Sequence, residues 1–214
     1  MDRIICPEHR RKNFSCGEGA DGLFPGDGRV TFSGHCGDSA LIFRRRYRTP
    51  DAFDDLLMFG DGECLTGLQF ENPSACRGLS SRGTDADSPA FRETERWLDL
   101  YFSGRVPGFL PPLRISEATP FRREVLRLIL AIPPGCTATY GELAQEIARK
   151  RGIARMSAQA VGGAVGWNPV CIIIPCHRVI GADGGLTGYG GGIPNKIALL
   201  AHEKRMNAEC RGLP

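Results

Sequence analysis

Proline stands on both sides of the most apolar stretch of this chain. Asn168-Pro169 opens it, Val170-Cys171-Ile172-Ile173-Ile174 fills it, and Pro175-Cys176-His177-Arg178 closes it. Five consecutive apolar residues, mostly β-branched, read as a buried strand, and Pro175, with no N–H for the ladder, must end it. Cys176 is thereby delivered just past the end of a buried strand, beside a histidine and an arginine. A thiol acts as its thiolate, and its free pKa of ~8.5 falls when an imidazole or a cation lies near. Cys176 is placed to react in a way that Cys171 is not. The competing reading is an inert core thiol, the commonest fate of a free cysteine.

The chain around this turn is helical and well punctuated. Thr119-Pro120 is an N-cap followed by proline at the first helical position, with Val125, Leu126, Ile129 and Leu130 as the buried face, and Pro133-Pro134-Gly135 stops that helix. Thr139-Tyr140-Gly141-Glu142 is a capping box, opening a helix with Leu143, Ala144 and Ile147 inward. A basic turn, Arg149 to Gly152, leads to Ser157, the N-cap of a second short helix over 158–165. Two short helices joined in this way predict a helix-turn-helix. The second of them, Gln159-Ala160-Val161-Gly162-Gly163-Ala164-Val165, has almost no side chain able to read base edges. It suits either close helix packing or a backbone that approaches phosphate, so a DNA partner would be bound without regard to sequence.

Upstream, Leu56–Phe59, the turn Gly60-Asp61-Gly62 and Cys64–Phe70 read as strand, tight turn and strand. Phe91 to Phe102 has helical spacing, and Pro107 to Pro112 is a stiff linker that marks a domain boundary. Residues 1–43 have no sustained period and read as an unassigned, disordered extension. Cys6, His9, Cys16, His35 and Cys36 lie there, in a spacing that matches no standard zinc module. Two domains are expected, 44–114 and 115–207. From Ser116 onward twelve Lys and Arg face seven Asp and Glu, a balance of +5; the +3 of the whole chain leaves −2 for what precedes. The second half is therefore the one to meet a polyanion. The chain has no apolar run of eighteen residues and no signal-like start, so it is expected in the cytoplasm, or the nucleus of a eukaryote. Nine cysteines, an odd number, are expected to be reduced.

Asn168-Pro169, the apolar run and Pro175-Cys176-His177-Arg178-Val179 resemble the active-site signature of the O6-alkylguanine-DNA alkyltransferases. The resemblance extends through Gly188-Tyr189-Gly190-Gly191-Gly192, Lys196 and Leu199-Leu200-Ala201-His202-Glu203. Upstream it takes in Thr119-Pro120-Phe121, Thr139-Tyr140-Gly141 and Ala160-Val161-Gly162-Gly163, and residues 46–112 are similar to the N-terminal domain of bacterial members. It implies an α+β protein with an N-terminal ribonuclease-H-like domain and a C-terminal winged helix-turn-helix domain. The implied partner is double-stranded DNA carrying O6-alkylguanine, with O4-alkylthymine a further substrate. The damaged base is flipped out and its alkyl group passes once, irreversibly, to a cysteine. No cofactor, metal or membrane is implied, and the protein is expected to be a monomer.

Carried over residue by residue, the resemblance makes Cys176 the nucleophile, His177 its base through a water, and Glu203 the group that orients the histidine. Asn168 braces the turn, and Tyr140 donates to the guanine ring as it leaves. Val179, Tyr189 and Gly190 line the base pocket; Gln159, Ala160, Gly162 and Arg178 meet DNA. Two departures stand out. Many members have arginine where this chain has Gln159, a shorter and uncharged side chain for the gap left by a flipped base. Some have serine where this chain has Gly190, which opens the pocket to larger adducts. A lesion sensor without transfer, a helix-turn-helix regulator and a Cys-His hydrolase are the competing functions. The sensor is disfavoured by Cys176, the regulator by the bare second helix, and the hydrolase by the lack of an evident oxyanion hole.

Overall fold

The computed structural model describes residues 30–33, 42–71, 84–186 and 188–211. The candidate zinc ligands Cys6, His9, Cys16, His35 and Cys36 lie outside them. Eight strands and five α-helices are formed among the described residues.

The hairpin read from the sequence is the centre of a sheet. Strand β3 (Leu56–Gly60) runs antiparallel to β4 (Leu65–Phe70), and Asp61 shapes the turn by accepting from the backbone N–H groups of Glu63 and Cys64. Gly60 is required there, since a Cβ would stand 2.8 Å from the Cys64 carbonyl and 3.0 Å from the Phe91 ring. Around the hairpin lie β1 (Val30–Ser33), β2 (Phe43–Tyr47), β5 (Thr84–Asp85) and β6 (Leu113–Ser116), in the order β1-β6-β4-β3-β2-β5. Helix α1 (Pro89–Phe102) is capped by Ser88 and buries Phe91, Leu98 and Tyr101. The sequence missed β1 and β6. Residues 30–33, read as part of an unpacked head, pair in parallel with 113–116. Ile115 and Ser116 therefore belong to the sheet, beyond the boundary placed at 114. Four residues are too few for a period to emerge, and pairing partners 83 positions away supply what local sequence does not.

The second half follows its caps. Thr119 caps α2 (Pro120–Leu130), whose buried face holds Leu128 in place of the expected Leu130. The reciprocal Thr139–Glu142 box opens α3 (Tyr140–Arg151), and Gly152, at φ 63°, ends it. Ser157 caps α4 (Ala158–Gly166). The last helix, α5 (Ile193–Arg211), turns Lys196, Leu199, Leu200, Glu203 and Met206 inward at helical spacing.

The strand expected over Val170–Ile174 is not one. A single parallel bridge joins Val170 to Leu68, through Leu68 N–H to Pro169 O and Cys171 N–H to Leu68 O, both 2.9 Å. The backbone then reverses at Ile172, whose φ of 65° is in the left-handed region that β-branched residues avoid. The Ile173 and Ile174 amides bond back to Cys171 O (2.7 Å) and Val170 O (3.1 Å), satisfying internally what a ladder would have satisfied. The apolar run is a buried knot docked on β4.

Candidate active site

Pro175 (φ −83°, ψ 62°) bends the chain through an inverse γ-turn into one 3₁₀ turn, Cys176–Arg178, and β8 (Val179–Ile180) follows. Strand β8 pairs in parallel with β7 (Ala138–Thr139), the two residues before Tyr140. That pairing brings the start of the helix-turn-helix beside the Cys–His turn.

Asn168, for which the resemblance implied a bracing role, bonds at three points along the turn. Its Nδ2 donates to Ile174 O (2.8 Å) and to the Cys176 sulfur (3.1 Å), while its Oδ1 accepts from Val170 N–H (3.1 Å). Burial pushes the Cys176 thiol up, and the Asn168 hydrogen bond and the Lys196 charge counter this only in part. Cys176 therefore rests as a thiol, contrary to the lowered pKa that its neighbours suggested. Cys171, fully buried, is pushed well above its ordinary value by burial and then by its neighbour Cys176.

His177 is wholly buried, and its Nε2 donates to Glu203 Oε1 at 2.8 Å, because an ionised carboxylate can only accept. Its Nδ1 has no hydrogen-bond partner among the described residues. Burial holds the imidazole below its ordinary pKa against the pull of Glu203, so at neutral pH it is an uncharged base. Burial alone would raise the Glu203 pKa; the facing His177 and Arg178 reverse that and hold it well below the usual carboxylate range.

Arg178 overturns an expectation. It is buried, donates from Nε and one terminal nitrogen to Glu203 (2.9 and 2.8 Å), and caps the Ile132 carbonyl with the other, where a contact with DNA was expected. Residue type alone does not distinguish an arginine that neutralises a buried carboxylate from one that meets phosphate.

A cleft of about 330 Å³ opens onto Cys176, lined by Asn168, Tyr189, Gly190 and Gly191 and, on the side of the sheet, by Gln69 and Phe70. The Tyr189 ring stands edge-on to His177 and to Phe70, both at 6.5 Å between centroids. Val179 is buried and gives its carbonyl to Lys196 Nζ at 2.7 Å. Tyr140 is half-buried, and burial and then the Cys176 charge push its hydroxyl pKa up, so it remains a proton donor. Gln159 and Ala160 are exposed on α4, and a Cβ on Gly162 would lie 3.8 Å from the Tyr140 ring. The structure thus brings two bonded pairs together, Asn168–Cys176 and His177–Glu203, with Tyr140, Tyr189 and Gly190 around them and Gln159 and Ala160 exposed on α4.

Sequence reading missed the sheet's contribution and three further residues. Lys196 is buried on α5, a position that the polar pattern of that helix does not signal. Trp167 lines the cleft and is held by the Arg122 guanidinium 4.4 Å above its ring. Tyr101, on α1, donates to Glu203, and nothing in the sequence separates it from a core aromatic.

Cys176 thus lies at the foot of a cleft beside a helix-turn-helix, next to a buried histidine–carboxylate pair. The family model for the DNA-binding domain of 6-O-methylguanine DNA methyltransferase matches residues 120–205. A methylated-DNA–protein-cysteine methyltransferase of Mycobacterium leprae is 41% identical over 153 residues, covering 70% of this chain and 86% of that protein. The crystal structure of the Mycobacterium tuberculosis O6-methylguanine methyltransferase is similar with a TM-score of 0.65 and 37% identity, over 78% of this chain and 94% of that one. A structure of the Mycobacterium tuberculosis protein in complex with DNA is similar at a TM-score of 0.62 and 39% identity, over 77% and 94%. The chain belongs to the methylated-DNA–protein-cysteine methyltransferase family.

Proposed function

We propose that this protein repairs O6-alkylguanine in duplex DNA by moving the alkyl group irreversibly onto Cys176. The observation that carries this reading is the Asn168–Cys176 hydrogen bond at the cleft floor, with the buried His177–Glu203 pair on the adjacent residue. His177 takes the thiol proton, through a water at Nδ1, and Glu203 stabilises the imidazolium that forms. The sulfur attacks the alkyl carbon, the carbon–oxygen bond breaks, and guanine leaves with a hydrogen bond or proton from Tyr140. The product is a thioether, so each molecule acts once. No metal or cofactor enters the reaction. O4-alkylthymine presents the same alkyl–oxygen bond and is a second substrate.

In this reading the sheet and α1 form a ribonuclease-H-like domain ending near Ser116, and a winged helix-turn-helix domain runs from there to about 207. The protein acts as a monomer in the cytoplasm, and among the described residues no helix is long and apolar enough to cross a membrane. Helix α4 faces DNA through Gln159, Ala160 and Gly162. Gln159 fills the gap left by the flipped base without adding charge. Gln159→Arg is therefore expected to tighten duplex binding about three- to tenfold and, by adding a cation, to steepen its salt dependence. Unchanged affinity and transfer rate for that variant would refute this role. At Gly190 a Cβ meets nothing within 4 Å, so Gly190→Ser is expected to fold normally and to slow benzyl transfer relative to methyl transfer.

The deciding experiment incubates the protein with duplex DNA carrying radiolabelled O6-methylguanine and maps the label by mass spectrometry. One methyl per molecule on Cys176 is the expected result. Repeated turnover, or label on another cysteine, overturns the reading.

A further inference from the structure

We infer that Tyr101 is a positioning residue of the alkyl-transfer relay, holding Glu203 against His177 from the sheet-bearing half of the molecule. The inference rests on the reading of Cys176, His177 and Glu203 given above. Tyr101 sits on α1, 102 residues from Glu203, and its hydroxyl donates to Glu203 Oε1 at 2.8 Å, inside the buried core. The same oxygen receives His177 Nε2 at 2.8 Å and an Arg178 terminal nitrogen at 2.8 Å. Oε2 takes Arg178 Nε at 2.9 Å and the Gly135 N–H at 3.0 Å. Every direction in which the carboxylate can accept is thus used, and only the Tyr101 donor comes from outside residues 120–205.

Tyr101 is itself built in. Its ring stacks on Trp97 at 5.4 Å and 11°, with Phe102 and His202 against its other sides. His202 Nε2 donates to the Tyr101 carbonyl at 2.7 Å, which ties α5 to α1 one residue before Glu203. A neutral donor on Oε1 also spreads the carboxylate charge that His177 feels. Remove it, and the same carboxylate draws the proton onto His177 more strongly. The imidazole then stays protonated, and useless as a base, up to a higher pH.

Tyr101→Phe keeps the ring and removes one oxygen. Single-turnover methyl transfer by the full chain, followed from pH 5 to pH 9, should show the acid limb moved up by about one pH unit. The rate falls about tenfold on that limb and less than about threefold on the plateau. The rate of Cys176 modification by iodoacetamide, read by mass mapping, should shift in the same way without DNA. In a Glu203→Gln background the same substitution should change neither rate. A purely structural Tyr101 would lower the melting temperature and leave both pH profiles in place, which overturns the inference. An equal rate loss with and without the Glu203 carboxylate overturns it too. If the unsubstituted protein takes no methyl onto Cys176, the reading of the relay has failed, and not the inference alone.

Discussion

Cys176→Ser is expected to bind alkylated duplex as the parent protein does and to take up no alkyl group. Its transfer rate should fall by at least ~10³-fold. The exchange of sulfur for oxygen is nearly isosteric, and the hydroxyl can keep the Asn168 hydrogen bond that the thiol accepts at 3.1 Å. Folding should be little affected, so the loss belongs to chemistry. A serine hydroxyl is far less acidic than a thiol, and the neutral His177 is too weak a base to ionise it for an attack on an alkyl carbon. The pH dependence of the parent protein follows from the same environment. In the proposed reaction activity requires a neutral His177 able to take the Cys176 proton. Burial lowers the first pKa below 6.5 and raises the second above 9.0. The rate should be nearly flat between those values and decline on the acid side of pH 6.5. An exposed cysteine would instead gain rate steadily between pH 7 and 9. A tenfold rise over that interval would show that Cys176 reacts as an ordinary thiol and that His177 is not its base.

Local chemistry made the helical half legible. Thr119, Thr139 and Ser157 are side chains whose capping depends only on the next three residues, and the structure places all three as caps. The Cys–His turn was legible as a motif but not as a shape. Ile172, Ile173 and Ile174 have the side chains of a strand, and the reversal at Ile172 is imposed by docking on Leu68, about a hundred residues upstream. The left-handed backbone of a buried isoleucine is a local cost that only tertiary packing can hold, and such conformations gather at functional sites. The electrostatic partners were illegible for a related reason. Glu203 is 26 residues from His177, 68 from Gly135 and 102 from Tyr101, and no local pattern encodes those separations. Arg178 shows the limit most clearly: a cation in a DNA-binding protein suggests phosphate, whereas burial turns it inward to the relay carboxylate.

Glu203→Gln should be the most destabilising single substitution at this site, at about 3–5 kcal/mol. Glu203 is fully buried, with Arg178, His177, Tyr101 and the Gly135 amide all directed at it. Glutamine leaves the buried Arg178 guanidinium without a counter-charge and sets an amide donor against a ring of donors. For a chain of this length the melting temperature should drop by ~6–20 °C at pH 7. The sign of the pH dependence is fixed by the depressed Glu203 pKa. Its contribution is fully present above its ordinary value of 4.5 and is lost as pH falls through the lower value it has when folded. The gap between parent and variant should therefore be constant from pH 7 to pH 5 and should close only in stronger acid. His177 adds a separate slope: buried and neutral when folded, it binds a proton on unfolding once the pH is below 6.5, so the parent loses stability from there downward. Thermal melts of parent and variant at pH 7, 5 and 3.5 separate the two effects. A variant melting within 2 °C of the parent at pH 7 would mean that the carboxylate does not anchor the turn. In the proposed reaction methyl transfer by the variant should fall with its stability, because one carboxylate would both hold Arg178 in the core and stabilise the imidazolium. Chemistry and folding are coupled at Glu203, whereas Tyr101→Phe, which removes no charge, can vary the first with little change in the second.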